Sequence, residues 1–326
     1  MPRAPSFWSS DGILARVLSP LSSIGAGLTA ARVARPGWQA PVPVICCGNV
    51  TVGGAGKTTL VLDLGRRLSH RNVHVLLRGY RGAARGVHRV TPDDGVALVG
   101  DEALLLAQVA PTWVGADRAA SARAAVAAGA EILLLDDGLQ NPTLRKTFSI
   151  LVIDGSGGFG NRRVLPAGPL REPVTAAAAR CQAAVMIGAD LTNAGACLPP
   201  TLPLLHARLV QDNAVAALSG RRVLAFAGIA IPEKFFEPLR AAGATLVAVR
   251  RFPDHHAYTE RQLEDLLREA RQRLAVAVTT PKDAVRLPPA IRDQVTVVGV
   301  GLEWCEPAAR DQLLERMIAD VPSDVR

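Results

Sequence analysis

The fold of this chain is decided by the stretch Val44-Ile-Cys-Cys-Gly-Asn-Val-Thr-Val-Gly-Gly-Ala-Gly-Lys-Thr-Thr59. An apolar, β-branched run leads into a glycine-rich turn that ends in Gly-Lys-Thr, and a helical pattern of apolar residues follows as far as Leu68. This order of strand, glycine-rich turn and helix is typical of a phosphate-binding P-loop. The standard pattern has glycine where Thr51 stands. The alternative is a glycine-rich turn that matches by chance, and the flanking strand and helix patterns argue against it.

A P-loop binds the phosphates of a nucleotide through its backbone N–H groups, and the N-terminus of the following helix adds its dipole. The residues that we predict for this nucleotide site are Thr51, Val52, Gly53, Gly54, Ala55, Gly56, Lys57, Thr58 and Thr59. The Lys57 ammonium is expected to contact the β- and γ-phosphates. The Thr58 hydroxyl is expected to bind Mg²⁺.

A second stretch, Glu131-Ile-Leu-Leu-Leu-Asp-Asp-Gly-Leu-Gln140, is an apolar strand that ends in two carboxylates. The carboxyl ends of parallel strands face one crevice, so these groups are expected beside the P-loop. Aspartate also begins many turns, and the strand alone would be a weak signal. Together with the P-loop it predicts a Walker B element, in which Asp136 or Asp137 binds Mg²⁺ directly or through water.

Three further motifs leave alternatives open. In Val99-Gly-Asp-Glu102, a carboxylate can orient a hydroxyl group and accept its proton, although the spacing alone favours helix capping. Phe252-Pro-Asp-His-His-Ala-Tyr258 has two histidines without a third ligand at metalloprotease spacing, so we do not predict zinc. Leu76-Leu-Arg-Gly-Tyr-Arg-Gly82 is either an anion-binding loop or an ordinary turn.

The composition limits the partners of the chain. Its 326 residues are 49% hydrophobic, which suggests about two domains. The net charge of +8 suits an acidic membrane surface or a phosphorylated substrate. No stretch interleaves aromatic and basic residues, so we predict no nucleic acid, and no feature indicates an obligate protein partner. The absence of a CxxC pair indicates a reduced, cytoplasmic protein without a metal cluster, and its cysteines are Cys46, Cys47, Cys181, Cys197 and Cys305.

The N-terminal segment, residues 1–40, is basic and amphipathic. Asp11 is the only acidic residue before Leu62. Apolar residues at helical spacing are Leu14, Val17, Leu18, Leu21, Ile24 and Leu28. This pattern predicts a helix that lies in a membrane interface or, equally, one that packs on the protein's own domain. No run of about eighteen uncharged apolar residues is present, so a full membrane span is not expected.

Strand and helix patterns alternate along the rest of the chain, which predicts an α/β fold. We expect a P-loop NTPase-like, mostly parallel sheet with helices on both faces in residues 41–174. A second, smaller α/β domain is expected in residues 175–326; it carries the His255 loop, and its final helix could pack back on the first domain. A Gly/Pro/Arg-rich connector, residues 155–173, separates them. The predicted strands are Val42–Cys47, Val73–Leu77, Thr112–Val114, Glu131–Leu135, Phe148–Ile153, Ala183–Ile187, Arg222–Ala227, Thr245–Val249, Leu274–Thr279 and Val295–Val298.

Nearly end to end, the chain resembles the tetraacyldisaccharide 4′-kinase family of lipid A biosynthesis. The family's motifs and their positions here are GN-x-T-x-GG-x-GKT at 48–58, RGYxG at 78–82, VGDE at 99–102, DDG-x-Q at 136–140, LPAGPLREP at 165–173, FxDHHxY at 252–258 and T-x-KDAVR at 280–286. The departures are Thr59, Ala103, Leu139 and the stretch Gly228-Ile-Ala-Ile-Pro232, and none removes a charged group.

The resemblance implies that ATP donates its γ-phosphate to the 4′-hydroxyl of an acylated disaccharide 1-phosphate, forming lipid IVA at the cytoplasmic face of the bacterial inner membrane. It implies that Asp101 orients or deprotonates the sugar hydroxyl with the help of His255, in a cleft between the domains. It places around Mg²⁺ the residues Thr58, Glu102, Asp136 and Asp137. Further candidates for substrate contacts or loop support are Asn49, Arg78, Tyr80, Arg118, Gln140 and Arg171.

A P-loop ATPase or GTPase switch at the membrane surface is the alternative function. It would also explain the P-loop and the Walker B strand. Thr280-Pro-Lys-Asp283 resembles a guanine-reading motif over a short stretch. The alternative does not require a basic N-terminal helix or a second domain with a histidine loop.

Overall fold

The structure, a computed structural model, describes residues 5–319; residues 1–4 of the predicted N-terminal segment and 320–326 of the predicted second domain lie outside the described part. The strands are β1 Val44–Gly48, β2 Val73–Leu77, β3 His88–Arg89, β4 Thr112–Val114, β5 Ile132–Asp136, β6 Phe148–Asp154, β7 Ala183–Ile187, β8 Leu204–Gln211, β9 Arg222–Ala227, β10 Thr245–Arg251, β11 Val276–Thr279, β12 Thr296–Val297 and β13 Val300–Trp304. The α-helices are α1 Ile13–Val33, α2 Lys57–Arg67, α3 Val96–Val99, α4 Asp101–Ala107, α5 Arg118–Ala127, α6 Val174–Ala178, α7 Glu233–Ala241, α8 Glu260–Gln272, α9 Pro281–Ala284, α10 Pro289–Arg292 and α11 Pro307–Ala319.

The larger sheet has the order β13-β8-β7-β6-β1-β5-β2-β4-β3. It is parallel except at its two edges, where β13 and β3 run antiparallel to their neighbours. The side chains of β1 alternate between two buried clusters, with Ile45 packing among residues of α2, α4 and α11 and Cys46 among residues of α5 and α6. Helices thus cover both faces of a mostly parallel sheet, which confirms the predicted fold class.

The smaller sheet has the order β10-β9-β11-β12 and is parallel throughout. Phe235 and Phe236 of α7 pack on one face, and Leu263 and Leu267 of α8 pack on the other. The second domain is therefore a small three-layer α/β unit.

The boundary between the two sheets does not coincide with the boundary that we predicted after residue 174. Strands β7, β8 and β13 all belong to the larger sheet, and only β9 to β12 form the smaller one. The connector is also part of the larger domain, because the N–H of Val52 donates to the Pro169 carbonyl at 2.9 Å and the N–H of Arg171 donates to the Val50 carbonyl at 2.7 Å. The glycines and prolines of the connector shape a packed loop beside the P-loop, not a linker.

Helix α1 lies against the larger domain through few of its residues. The Ser22 hydroxyl donates to the Val164 carbonyl at 2.7 Å and accepts from the Ala167 N–H at 3.1 Å. Its exposed apolar side chains are Ile13, Leu14, Val17, Leu21, Ile24 and Leu28. By length and composition the helix is sufficient to cross a membrane, with a mean hydropathy of 1.3, although the sequence pattern did not lead us to expect a span. The contacts of Ser22 show that the helix packs on the larger domain, and the exposed stripe is compatible with membrane association as well.

The end of α8 gives a stability prediction. Leu274 follows the helix in a left-handed conformation with φ of +49°, and its side chain is 85% exposed. Two hydrogen bonds close the helix end, from the Leu274 N–H to Arg271 and from the Ala275 N–H to Ala270. Because glycine adopts positive φ without steric cost, we expect Leu274→Gly to be about 0.5–1 kcal/mol more stable than Leu274→Ala in urea unfolding. Equal stability of the two variants would contradict this.

Candidate active site

The P-loop is shaped by two glycines with positive φ. Gly53 has φ of +128° and Gly56 has φ of +80°, and a Cβ atom added to Gly56 would lie 2.6 Å from the Ile187 side chain. Gly56 directly precedes α2. Within residues 5–319, the backbone N–H groups of residues 53–56 donate no hydrogen bond to the protein. Free donors at the start of a helix form an anion site.

The side chains of the P-loop contact the end of the Walker B strand. Strand β5 pairs with β1, so that Asp136 lies level with Cys47. The Thr58 hydroxyl donates to Asp136 Oδ2 at 2.9 Å. The Lys57 ammonium donates to Asn49 Oδ1 at 3.0 Å and lies 3.7 Å from Asp137 Oδ2. The structure therefore brings the predicted phosphate and magnesium groups together.

The P-loop residues Thr51 and Thr59 have supporting positions. Asn49 Nδ2 donates to both the carbonyl and the hydroxyl of Thr51, each at 3.0 Å. Thr51 thus anchors the start of the loop through its hydroxyl, which a glycine at this position would lack. Thr59 lies in the first turn of α2.

The donor set near Asp136 suits Mg²⁺. Burial, with the negative charge of Glu102 added to it, raises the pKa of Asp136 to about 7. This crowding of negative charge would be relieved by a cation. The described residues contain no cluster of three or more His, Cys, Asp or Glu side chains at metal-binding spacing. Mg²⁺ does not require one, because it is bound by one or two carboxylates, water and substrate phosphates.

Asp137, the second carboxylate of the Walker B element, is held by two arginines. Its backbone has φ of +62°, and Arg171 Nη1 donates to its Oδ2 atom at 2.8 Å. Arg118, which is buried, places Nη2 3.4 Å from the Asp137 carbonyl. Two of the predicted substrate residues thus support the Walker B turn through protein contacts.

Gln140 connects the P-loop strand to a carboxylate that we did not predict. Its Nε2 atom donates to the Asn49 carbonyl at 3.0 Å and to Glu172 Oε1 at 2.9 Å. Glu172 is buried and pairs with Arg180 at 2.7 Å. Glu172 lies within the family motif LPAGPLREP, and that motif was the signal that could have indicated it.

Asp101 begins α4 and faces the second domain. Its Oδ2 atom lies 2.8 Å from His255 Nδ1 and accepts from Arg286 Nε at 3.1 Å. Lys282 Nζ lies 4.0 Å away. Gly100 is the N-cap residue, and Asp101 Oδ1 accepts from the Glu102 N–H in the first turn at 3.0 Å. The carboxylate therefore supports the start of the helix through one oxygen, as the capping alternative expected, while its other oxygen faces the cleft. Two domains therefore meet at one carboxylate, as the expected cleft requires.

Opposing effects set the ionisation of Asp101. Burial raises the pKa of this carboxyl group, but the hydrogen bond from His255 and the positive charges of Lys282 and Arg286 outweigh it. The pKa is therefore held well below its ordinary value. Asp101 is ionised throughout the neutral range.

The second domain supplies two cationic side chains for which we predicted no role. Arg286 Nη1 donates to Asp283 Oδ1 at 3.0 Å while the same guanidinium contacts Asp101. Lys282 lies 3.4 Å from His255 Nε2 and 3.7 Å from Asp254. The motif T-x-KDAVR contained these cations, but only the fold places them at the cleft.

The contacts of Asp283 exclude a guanine-recognition role for the motif at residues 280–283. Its side chain is completely buried and accepts from the Gly228 N–H at 3.0 Å and the Tyr258 hydroxyl at 2.8 Å. Thr280 donates to its other oxygen at 2.7 Å. An aspartate with both oxygens engaged inside a domain cannot recognise a base.

Two predicted substrate residues and one metal residue lie around this cluster. Tyr80 is 46% exposed, and its ring centre lies 6.2 Å from that of His255. Arg78 is exposed at the start of the same loop. Glu102 follows Asp101 and acts on Asp136 through its charge. These positions leave Tyr80 and Arg78 accessible to a substrate in the cleft.

Comparison with known proteins identifies the family. The sequence model described as Tetraacyldisaccharide-1-P 4′-kinase matches residues 14–319. The chain belongs to this family. Tetraacyldisaccharide 4′-kinase of Gluconacetobacter diazotrophicus is 56% identical over 96% of this chain and 97% of its own. That of Gluconobacter oxydans is 50% identical over 97% of this chain and 98% of its own. The resemblance that the motifs indicated is confirmed.

A solved structure supports the fold. LpxK from Aquifex aeolicus in complex with ATP matches with a TM-score of 0.77 and 25% sequence identity. The match covers 94% of this chain and 100% of that one. Both domains thus fall within the fold of this kinase family.

The raised pKa of Asp136 gives a pH prediction. A carboxyl group must lose its proton to bind a cation, so protonation below about pH 7 competes with Mg²⁺. We expect the Mg²⁺ concentration for half-maximal rate to increase as the pH falls from 8 to 6, toward about tenfold per unit below the pKa. Initial rates measured across Mg²⁺ titrations at each pH test this. A requirement that stays constant over this range would exclude Asp136 as the titrating group.

Proposed function

We infer that this chain is an ATP-dependent kinase that transfers the γ-phosphoryl group of ATP to the 4′-hydroxyl of tetraacyldisaccharide 1-phosphate in lipid A biosynthesis. Family membership supports the substrate class. The observation that carries the mechanism is the contact of Asp101 with His255 at 2.8 Å, across the cleft between the P-loop domain and the second domain. A P-loop switch protein would have no use for this contact.

The P-loop domain is proposed to hold the nucleotide. The free N–H groups of residues 53–56 and the start of α2 would bind the phosphates. Lys57 would balance charge on the transferred group. The residues proposed to hold Mg²⁺ are Thr58, Glu102, Asp136 and Asp137. The ion, when bound, neutralises charge that develops on the phosphate oxygens.

Asp101 is proposed to orient the sugar hydroxyl. Its ionised carboxylate can accept a hydrogen bond from the hydroxyl and direct the oxygen lone pair toward the phosphate. His255 would donate from Nδ1 to Asp101 Oδ2 and so fix the carboxylate. Phosphoryl transfer depends mainly on positioning and charge stabilisation, which these groups supply.

Transfer of phosphate from ATP to the purified acylated disaccharide 1-phosphate is the direct test. We expect Lys57→Ala to lower the rate by about a hundredfold or more, because a charged contact to the transferred phosphate is lost. Arg66→Ala, on the exposed side of the same helix, is the matched control and should retain activity. Near-normal turnover by folded Lys57→Ala protein would remove the P-loop assignment.

Asp101 and His255 are expected to act as one unit. Each single alanine variant should reduce turnover, and the double variant should be little worse than Asp101→Ala alone, because effects of coupled residues are not additive. His256→Ala is the control, since the His256 ring bonds Gln262 at 3.0 Å and makes no contact with Asp101. Losses that multiply in the double variant would show that the two residues act independently.

We further propose that the enzyme binds the cytoplasmic face of the inner membrane through α1. The exposed apolar stripe of α1 and the cationic N-terminal segment support this, since both favour an anionic bilayer surface. The acyl chains of the substrate would keep it in the same bilayer. The Ser22 hydroxyl donates to the Val164 carbonyl and Arg163 donates to the Ser19 hydroxyl, and these contacts between α1 and the larger domain would hold the helix in a fixed position relative to the cleft.

Vesicle binding tests the role of α1. Deletion of residues 1–34 should reduce binding to anionic vesicles and action on membrane-embedded substrate, while ATP binding persists, and added salt should weaken binding by the full chain. A milder variant, Ile24→Glu with Leu28→Glu, changes two side chains that are 62% and 69% exposed and leaves the contacts of Ser22 intact. Co-sedimentation of either variant at the level of the full chain would exclude the interfacial role.

A further inference from the structure

A second basic site lies at the C-terminal end of α1. A cavity of about 340 Å³ opens between the residues that follow α1 and the turn that precedes β6. Its cationic side chains are Arg35, Arg145, Lys146 and Arg180, and its polar lining includes Asn141 and Ser149. None of these residues except Arg180 takes part in the network around the P-loop.

Three of the four cations of this cavity form no ion pair with residues 5–319. Among residues 5–319, Glu172 is the carboxylate that pairs with these cations, and it pairs with Arg180 alone. The Lys146 ammonium donates to the Asn141 carbonyl, and Arg145 donates to the Gln39 side-chain oxygen at 3.2 Å. Burial lowers the pKa of Lys146, and nearby Arg180 adds to this effect. A half-buried cation with only neutral partners is stabilised by an anion.

The position of the cavity relates it to the bilayer surface. The exposed apolar stripe of α1 ends at Leu28. One turn further along the helix lies the exposed Arg32, and Arg35 follows shortly after the end of the helix. A helix that lies in a membrane interface buries its apolar side chains and leaves its cations at the level of the phosphate groups. Arg35, which lines the cavity, is therefore one of the cations that would lie at the level of the lipid phosphates.

We propose that this cavity binds the phosphate group of an anionic phospholipid. The proposal rests on the proposed membrane association of α1, and it adds a specific headgroup site to a non-specific surface. Arg35 and Lys146 would donate charge-assisted hydrogen bonds to the phosphate oxygens, with Arg145 at the rim. The volume equals that of about ten waters, which accommodates a phosphate group with its glycerol. The site is separate from the phosphates of the nucleotide.

Binding of soluble dihexanoyl phosphatidic acid tests the cavity without a membrane. We expect the full chain to bind it in calorimetric titrations and Arg35→Gln with Lys146→Gln to bind at least tenfold more weakly. The charge-matched control is Arg16→Gln with Arg32→Gln, which changes two exposed cations of α1 outside the cavity and should bind as the unmodified chain does. Equal binding by both double variants would overturn the proposal. Arg35→Gln alone changes an exposed side chain, and a smaller loss in the same direction is expected from it.

Vesicles separate this site from the general affinity of α1. On vesicles of four parts phosphatidylcholine to one part phosphatidic acid, we compare Arg35→Gln with Lys146→Gln against the charge-matched control. The first variant should have at least a tenfold lower affinity for the vesicles in co-sedimentation. On pure phosphatidylcholine vesicles the two variants should co-sediment equally. If neither sediments with these vesicles, the proposed membrane association of α1 fails, and the result does not concern the cavity. Inorganic phosphate provides the last comparison. If it binds as tightly as dihexanoyl phosphatidic acid, with the same dependence on Lys146, the ligand is a free anion and the lipid source is overturned.

Discussion

The two domains of this protein are joined by the ionised carboxylate of Asp101. Its partners His255 and Arg286 lie 154 and 185 residues further along the chain, and both are supplied by the second domain. The Arg286 side chain is 3% exposed, so its charge would be costly without a partner. The ionised Asp101 carboxylate therefore compensates a buried cation of the second domain.

Two carboxyl groups of the cleft have pKa values that are shifted in opposite directions by their surroundings. Asp101 is surrounded by cations, and its pKa is lowered. Asp136 is buried beside Glu102, and its pKa is raised to about 7. Environments that shift two acids in opposite directions are how one site assigns them different tasks. Asp101 is therefore ionised even without a ligand. Asp136 loses its proton more readily when a cation is bound beside it.

The sequence predicted most of the local structure and only part of the site. Strands such as Val73–Leu77 and Ala183–Ile187 were predicted with the bounds that the structure has, because apolar runs between turn residues are local signals. Strands β8 and β13 were not predicted, and β7 was predicted as a strand of the second domain. The sheet to which they belong was missed because pairing between distant strands leaves no local pattern. Strand β13 returns to the larger domain, where the Trp304 indole N–H donates to Asp63 at 2.8 Å, 241 residues away. Glu172 and Arg286 were missed for the same reason, since their partners are defined by the fold and not by neighbouring residues.

The segment between Asn161 and Pro173 connects helix α1 to the P-loop. At one end Asn161 binds the Phe7 carbonyl at 3.1 Å, and Val164 accepts a hydrogen bond from Ser22 of α1. At the other end Pro169 accepts from the Val52 N–H, and Arg171 holds Asp137. The residues of this segment that contact the N-terminal segment lie close in sequence to those that contact the P-loop and the Walker B turn. Helix α1 therefore has a fixed position relative to the P-loop. If α1 lies in a bilayer as we propose, this connection sets the position of the P-loop relative to the bilayer surface.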